Sequence, residues 1–312
     1  MPGKRSVDMV FLSKNILTRK RSFGFRKGEV IPGTPFHWQE ELSPRDCSAR
    51  WTVSSAGGRH PYICELIDPE DDELQVALCS NALAASGMTR HDGLANILAA
   101  GWLKDGVYYQ VIELAPDEQP LASFKPAKPM DEESFLHVAQ TLVDALVHLH
   151  KNNLVHSVIS PEALRVAADG MRIADFWWSR SCAGAYFDDA LESHFPGALS
   201  NMSLLCLAPE LVAGAKPFRE CDLFSLGATL FYLLTGEFPR KLDLAEDSSI
   251  GLKQLSDAGM KDLRDLRPGL KPQIYDAIKF CLQLDDVARE NIFLVRDLFK
   301  DAAGKMAVRE ED

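Results

Sequence analysis

The sequence predicts an α+β architecture in two parts: a small β-rich N-terminal lobe with one main helix, and a larger helical C-terminal lobe. Three observations predict it. Short apolar and aromatic runs punctuated by turn residues fill the stretch from Phe36 to Ile112. A linker with four prolines spans Ala115 to Met130. Beyond it, apolar side chains recur at helical spacing.

Phe36–His37–Trp38, Trp51–Thr52–Val53 and Tyr62–Ile63–Cys64 read as strands, with turn signals at Pro44-Arg45-Asp46 and Gly57-Gly58. Asp68-Pro69-Glu70 starts a helix, with proline near the first helical position and acids in the first turn; it continues through Leu74, Leu78 and Ala84 to Gly87. Two further strands flank Lys104-Asp105-Gly106, the second being Tyr108 to Ile112. After the linker, Asp131 to Lys151 places Phe135, Val138, Leu142, Ala145, Leu146 and Leu149 on one helical face. Ala163–Val166 and Met171–Ile173 read as strands, and Leu223–Leu234, Ile274–Leu284 and Ile292–Lys300 as helices. The expected boundaries are a basic extension at 1–36, an N-lobe at 37–114, a C-lobe at 115–303 and a polar tail at 304–312.

Composition narrows the function classes. The 312 residues are 46% apolar and 25% charged, which excludes a disordered or collagen-like chain. A net charge of −11 disfavours a nucleic-acid binder. The first 36 residues carry eight basic and two acidic side chains, so this arm has a net charge of +6 against −17 on the remainder. It contacts an anionic surface, lies back on its own acidic body, or is a solvated tail. Seven scattered cysteines form no C-x-x-C and no disulfide framework, and neither a signal peptide nor a membrane span is readable. A cytoplasmic protein is expected.

Five strings carry a resemblance. Leu154-Val155-His156-Ser157-Val158-Ile159-Ser160-Pro161-Glu162-Ala163 sits where protein kinases carry the H-R-D-L-K-P-E-N loop. Ile173-Ala174-Asp175-Phe176-Trp177 sits where they carry D-F-G, and Ala208-Pro209-Glu210 matches A-P-E. Asp222-Leu223-Phe224-Ser225-Leu226-Gly227 is similar to a D-x-x-S-L-G helix start, and Cys281-Leu282 with Asp285 and Arg289 to C-L…D-P-x-x-R. Their order and spacing resemble the bilobal protein kinase-like fold over residues 37 to 300, and Ser225 to Leu230 is especially similar to bacterial Ser/Thr kinases.

The resemblance implies a role for each position, and several are replaced. Ser43 to Arg50, where the glycine-rich loop falls, holds no glycine. Glu65 stands at the strand lysine, Val158 at the aspartate that orients the acceptor hydroxyl, Ala163 at the metal-binding asparagine and Trp177 at the glycine of D-F-G. Ser157 and Ser160 replace an arginine and a lysine of the same loop. Asp175 is the one metal candidate kept. Ile112 is gatekeeper-like, and Glu113 and Ala115 are the hinge candidates if a nucleotide binds. His156, Glu210, Asp222 and Arg289 resemble the residues that hold the frame. His148 and His150 read as helix surface or packing residues.

On these residues the chain is expected to have no catalytic residues and to be no enzyme. The expected role is a pseudokinase that docks a protein partner, such as an active kinase or a larger complex, as a scaffold or allosteric regulator. ATP and magnesium binding are expected to be absent or weak. The alternatives are a metal-independent nucleotide sensor and a weak or atypical Ser/Thr kinase.

Overall fold

The computed structural model describes residues 23–45, 48–55, 62–68, 87, 90–113, 119–121, 129–167, 170–174, 201–212, 215, 217–241, 259–289 and 291–304. Residues 69–86 of the helix expected between Asp68 and Gly87, together with Asp175, Trp177 and Ala115, lie outside them.

The N-lobe is a five-stranded antiparallel sheet in the order β1-β2-β3-β5-β4. Its strands are β1 Phe36–Arg45, β2 Ser48–Ser55, β3 Tyr62–Ile67, β4 Ile97–Trp102 and β5 Tyr108–Ile112. The strand expected to stop near Trp38 runs on to Arg45, so the turn falls two residues later than Pro44 suggests. β1 is an edge strand, where a missing proline amide costs no ladder bond.

Alternation along the strands separates two faces. The outer face buries Trp38, Trp51, Val53, Cys64, Leu66 and Val111. Residues 23–31 cross this face. Phe25 stacks on Trp38 with ring centroids 4.1 Å apart, and the Gly28 amide donates to the Trp38 carbonyl at 2.7 Å. The opposite face carries Ile63, Glu65, Gln110 and Ile112, of which Ile63 and Ile112 pack with Ala174 at the end of the small C-lobe sheet.

A small antiparallel sheet begins the C-lobe: β6 Gln119–Pro120, β7 Leu164–Ala167 and β8 Gly170–Ile173. It joins the lobes, because the Ala95 amide donates to the Ile173 carbonyl at 2.7 Å and the Ile173 amide to that of Gly93 at 2.9 Å. The helices are α1 Glu132–Lys151, α2 Asn201–Cys206, α3 Pro209–Val212, α4 Arg219–Thr235, α5 Leu263–Leu266, α6 Pro272–Cys281 and α7 Ile292–Ala302.

Helix α1 starts where Asp131 accepts the Ser134 amide at 2.9 Å, and it buries Phe135, Leu142, Leu146 and Leu149 in the core it shares with α4, α7 and β8. Helix α4 is buried from Cys221 to Leu234, largely apolar but with a polar row of Asp222, Ser225 and Thr229. It crosses α6 at Gly227, where a β-carbon would lie 2.5 Å from that of Cys281. No described helix is long and apolar enough to cross a membrane.

Candidate functional site: an interlobe cleft and its catalytic loop

The loop between α1 and β7 is held from below by one carboxylate. Asp222, in the first turn of α4 and fully buried, accepts the His156 amide at 3.0 Å and the Ser157 amide at 2.5 Å. His150 Nε2 lies 2.9 Å from the same carboxylate. The Ile159 amide donates to Ser225 Oγ at 3.0 Å, and Thr229 donates to the Ile159 carbonyl at 2.8 Å. Asp222, Ser225 and Thr229 of α4 therefore fix three residues of the loop, His156, Ser157 and Ile159. Ser157 is held at φ 80, a left-handed conformation that costs a non-glycine residue about 1–2 kcal/mol.

The ring of His156 contacts the Ala174 carbonyl at 2.8 Å, which joins the loop to the end of β8. Val158 does not line the cleft. It is buried among Leu204, Leu207, Ala208, Leu211 and Phe224, so an apolar cluster occupies the place of the family's aspartate. Ala163 is buried as well, and its carbonyl accepts the Ala174 amide at 2.8 Å.

One carboxylate remains on the loop's surface side. Ser203, on α2, donates to Glu162 at 2.9 Å and lies 3.0 Å from the hydroxyl of Ser160. Glu162, Ser203 and Ser160 thus form a hydrogen-bonded chain beside the loop. None of the three was a sequence candidate for chemistry, because Glu162 falls within a family string and drew no separate attention.

On the N-lobe side, Ile63, Ala95, Ile112 and Ala174 form one buried apolar cluster, with Leu42 packed against it. Glu113 donates its amide to the Asn96 carbonyl at 2.8 Å and accepts the Asn96 side-chain amide at 2.6 Å, so its hinge position is fixed. Beyond Ile63, Glu65 is 5% exposed and accepts from Gln110 at 2.9 Å, while Tyr108 donates to Gln110 at 3.4 Å. Burial, and secondarily the Glu65 charge, push the neighbouring Cys64 thiol well up.

The frame beneath the loop is also charged. Arg289, fully buried, donates to Glu210 on α3 and to the Gln283 carbonyl. Arg240, also buried, donates to the Leu207 carbonyl. The two guanidiniums bracket the Phe224 ring, 4.7 Å and 5.3 Å from its centroid. Desolvation lowers Arg240 to about 10.

A third buried cation lies on the small sheet. Arg165 is 2% exposed and donates to the Glu162 carbonyl at 2.6 Å. Its strand neighbours Leu164 and Val166 pack on the C-lobe core, so alternation puts Arg165 on the opposite face of the small sheet. The sequence offered one signal for it, a charge inside the otherwise apolar Leu164–Val166 run.

Glu65 stands on β3 where the family resemblance implies a phosphate-binding lysine. Among the described residues no group of three His, Cys, Asp or Glu is placed to hold a cation.

The family model for the protein kinase domain matches residues 84–296. The chain belongs to this family. It is 26% identical over 214 residues to the Serine/threonine-protein kinase PKH3 of Eremothecium gossypii, covering 65% of this chain and 28% of that protein. It is 27% identical over 187 residues to the Serine/threonine-protein kinase PrkC of Bacillus subtilis, covering 59% of this chain and 27% of that protein. The chain thus spans less than a third of either relative. The kinase domain of Mycobacterium tuberculosis PknI superposes with a TM-score of 0.63 at 17% identity, covering 87% of this chain and 96% of that one. Rad53 in complex with AMP-PNP gives 0.64 at 15% identity, covering 86% of this chain and 65% of that one. These neighbours share the bilobal fold.

The expectation that the chain is no enzyme is corrected here. The domain is that of protein kinases, and the named relatives are Ser/Thr protein kinases. The replacements at Glu65, Val158, Ala163 and Trp177 remove particular roles at particular positions. They leave the cleft and the fixed loop in place. Phosphoryl transfer depends chiefly on positioning and charge, and these can come from other side chains than the customary ones.

Proposed function

We propose that the chain is an atypical Ser/Thr protein kinase, an ATP-dependent phosphotransferase that works without the family's aspartate and asparagine. One observation carries this reading: Asp222 holds the catalytic loop, strained Ser157 included, through amide bonds of 2.5 and 3.0 Å. Backbone strain persists where the surroundings over-determine it, and such residues cluster at functional sites.

In this reading Glu162 takes the orienting role that Val158 lacks. The acceptor's hydroxyl oxygen bonds to the γ-phosphorus as the bond to the β,γ-bridging oxygen breaks. ADP departs with that electron pair, and the hydroxyl proton passes to Glu162. Ser203 and Ser160, within 3.0 Å of one another, hold the carboxylate's side of this contact. We place the chain in the cytoplasm, where the buried free thiols of Cys64, Cys206, Cys221 and Cys281 stay reduced.

The test is phosphate incorporation from γ-labelled ATP, into the chain itself and into a generic acceptor protein, with magnesium, with manganese and with EDTA. Incorporation on serine or threonine that Glu162→Gln abolishes, at unchanged melting temperature, supports the reading. Incorporation no greater than that of heat-denatured chain under all three conditions overturns it.

A further inference from the structure

The lobes meet at a turn that one imidazole closes. His91 Nδ1 accepts the Gly93 amide at 3.0 Å, so the ring is neutral there, with its proton on Nε2. Gly93 is also a residue that bonds β8. Its carbonyl accepts the Ile173 amide at 2.9 Å, the Ala95 amide donates to the Ile173 carbonyl at 2.7 Å, and Leu94 bridges Ile173 in parallel. The same turn reaches the hinge. The His91 amide donates to Asn96 Oδ1 at 2.9 Å, and Asn96 Nδ2 donates to the Glu113 carboxylate at 2.6 Å.

We propose that His91 is a pH-sensitive latch of this lobe joint: the neutral ring holds the turn closed on β8, and protonation at Nδ1 releases it. A protonated Nδ1 is a donor, so it meets the Gly93 N–H donor to donor and the bond between them is lost. The turn has little room to adjust on α1, since a β-carbon on Gly93 would lie 2.8 Å from the Thr141 carbonyl and 2.9 Å from Ala145 Cβ. The loss is therefore passed to Ile173, two residues before Asp175.

The charged groups that bear on the ring come from two elements. On α1, the His148 ring lies 5.3 Å from that of His91, and Asp144 stands one turn before His148. Asp92 stands on the turn itself. Desolvation, and after it His148, hold His91 below its ordinary value of 6.5, against the opposing pull of Asp92 and Asp144. An opened joint thus takes up the proton more readily than a closed one. The joint is at full stability above pH 6.5 and weakens as the pH falls through 6.5 toward the lower folded value.

The latch needs no phosphoryl transfer, so its test is independent of the kinase reading. Hydrogen exchange of the full chain at pH 7.5 and pH 5.5, corrected for the intrinsic exchange rate at each pH, follows the amides of residues 93–95 and 171–174. The amides of α4 serve as internal reference. His91→Asn is the comparison, because its Oδ1 takes the place of Nδ1 and accepts at both pH values. The expected result is a fall of about threefold to tenfold in protection across the joint of the wild type at pH 5.5. In His91→Asn the fall should be less than about twofold, with α4 unchanged in both proteins.

Equal falls in wild type and His91→Asn overturn the proposal, and so does a fall that α4 shares, which marks a global acid effect. If His91→Asn proves unfolded by circular dichroism, His148→Gln decides. Removing the neighbouring ring raises the midpoint of the His91 titration, followed by its imidazole chemical shifts, and moves the loss of protection to higher pH. A loss of protection that stays at the wild-type pH in His148→Gln overturns the latch.

Discussion

Asp222 Oδ1 accepts the backbone amide of Ser157 at 2.5 Å, and through that bond a helix first turn sets the backbone of a loop 65 residues earlier in the chain. The loop's conformation is consequently a property of α4 rather than of its own residues. Asp222→Ala leaves two buried amides and His150 without their acceptor. A loss of about 3–5 kcal/mol is expected, read as a fall in the urea midpoint at unchanged slope.

Ser157→Gly acts in the opposite direction. Glycine adopts φ 80 freely, and the substitution also removes a buried hydroxyl that has no hydrogen-bond partner among the described residues. After the greater entropy of the unfolded glycine chain is subtracted, a gain of about 0.5–1 kcal/mol is expected. A lower melting temperature for this variant would mean that the serine side chain is needed.

Restoring the family's aspartate will not help. Val158 lies among Leu204, Leu207, Leu211 and Phe224, so Val158→Asp buries a carboxylate in an apolar cluster. The expected cost is on the order of 3 kcal/mol, with no rise in phosphate incorporation over wild type. A gain in transfer would place Val158 in the cleft after all.

Gly227 is the contact point of α4 and α6. Gly227→Ala sets a β-carbon 2.5 Å from Cys281 Cβ, an atom fixed to its backbone, so one helix has to move. A loss of about 1–3 kcal/mol follows, measurable by thermal melting.

Alkaline pH should destabilise the protein through its thiols. Burial raises Cys206 and Cys281 from 9.0 to about 12, and raises Cys64 and Cys221 as well. Between about 9 and 12 the folded chain therefore holds more protons than the unfolded one, so stability is full below pH 9 and falls above it. Cys206 and Cys281 each steepen the loss by about 1.4 kcal/mol per pH unit in that window, and Cys64 and Cys221 act in the same direction. Arg240, lowered to about 10, contributes with the opposite sign above that pH, one group against four. Melting temperatures at pH 8 and pH 10 check the sign, and Cys206→Ser should make the difference between them smaller.

The fold was readable because its signals are periodic or ordered. Asp131 to Lys151 shows its helix in Phe135, Leu142 and Leu149, and the cluster from Ala208 to Arg289 shows the family in order and spacing. The short helices α2 and α3 were not readable, since six and four residues are too few to display a helical period. At the site, Glu65 and Val158 could be placed by counting from landmarks. What each touches could not: the Val158 cluster, the Glu162–Ser203 bond and the buried Arg165 all depend on contacts between distant segments. Reading replaced positions as lost activity also went too far, because the protein kinase family match, from residue 84 to 296, runs across the loop that carries Val158 and Ala163.

The strap of residues 23–31 over the sheet has a practical consequence for anyone expressing the protein in pieces. The family match begins at residue 84, after β3, so a recombinant fragment cut to that boundary discards three of the five N-lobe strands. It would present β5, with Tyr109 and Val111 stripped of cover, as an open apolar edge that pairs with other copies. Trimming only to Phe36 still uncovers Trp38 and Trp51. A fragment beginning at or before Phe23 keeps both aromatic layers together, and it should be the shortest one that stays monomeric at high concentration.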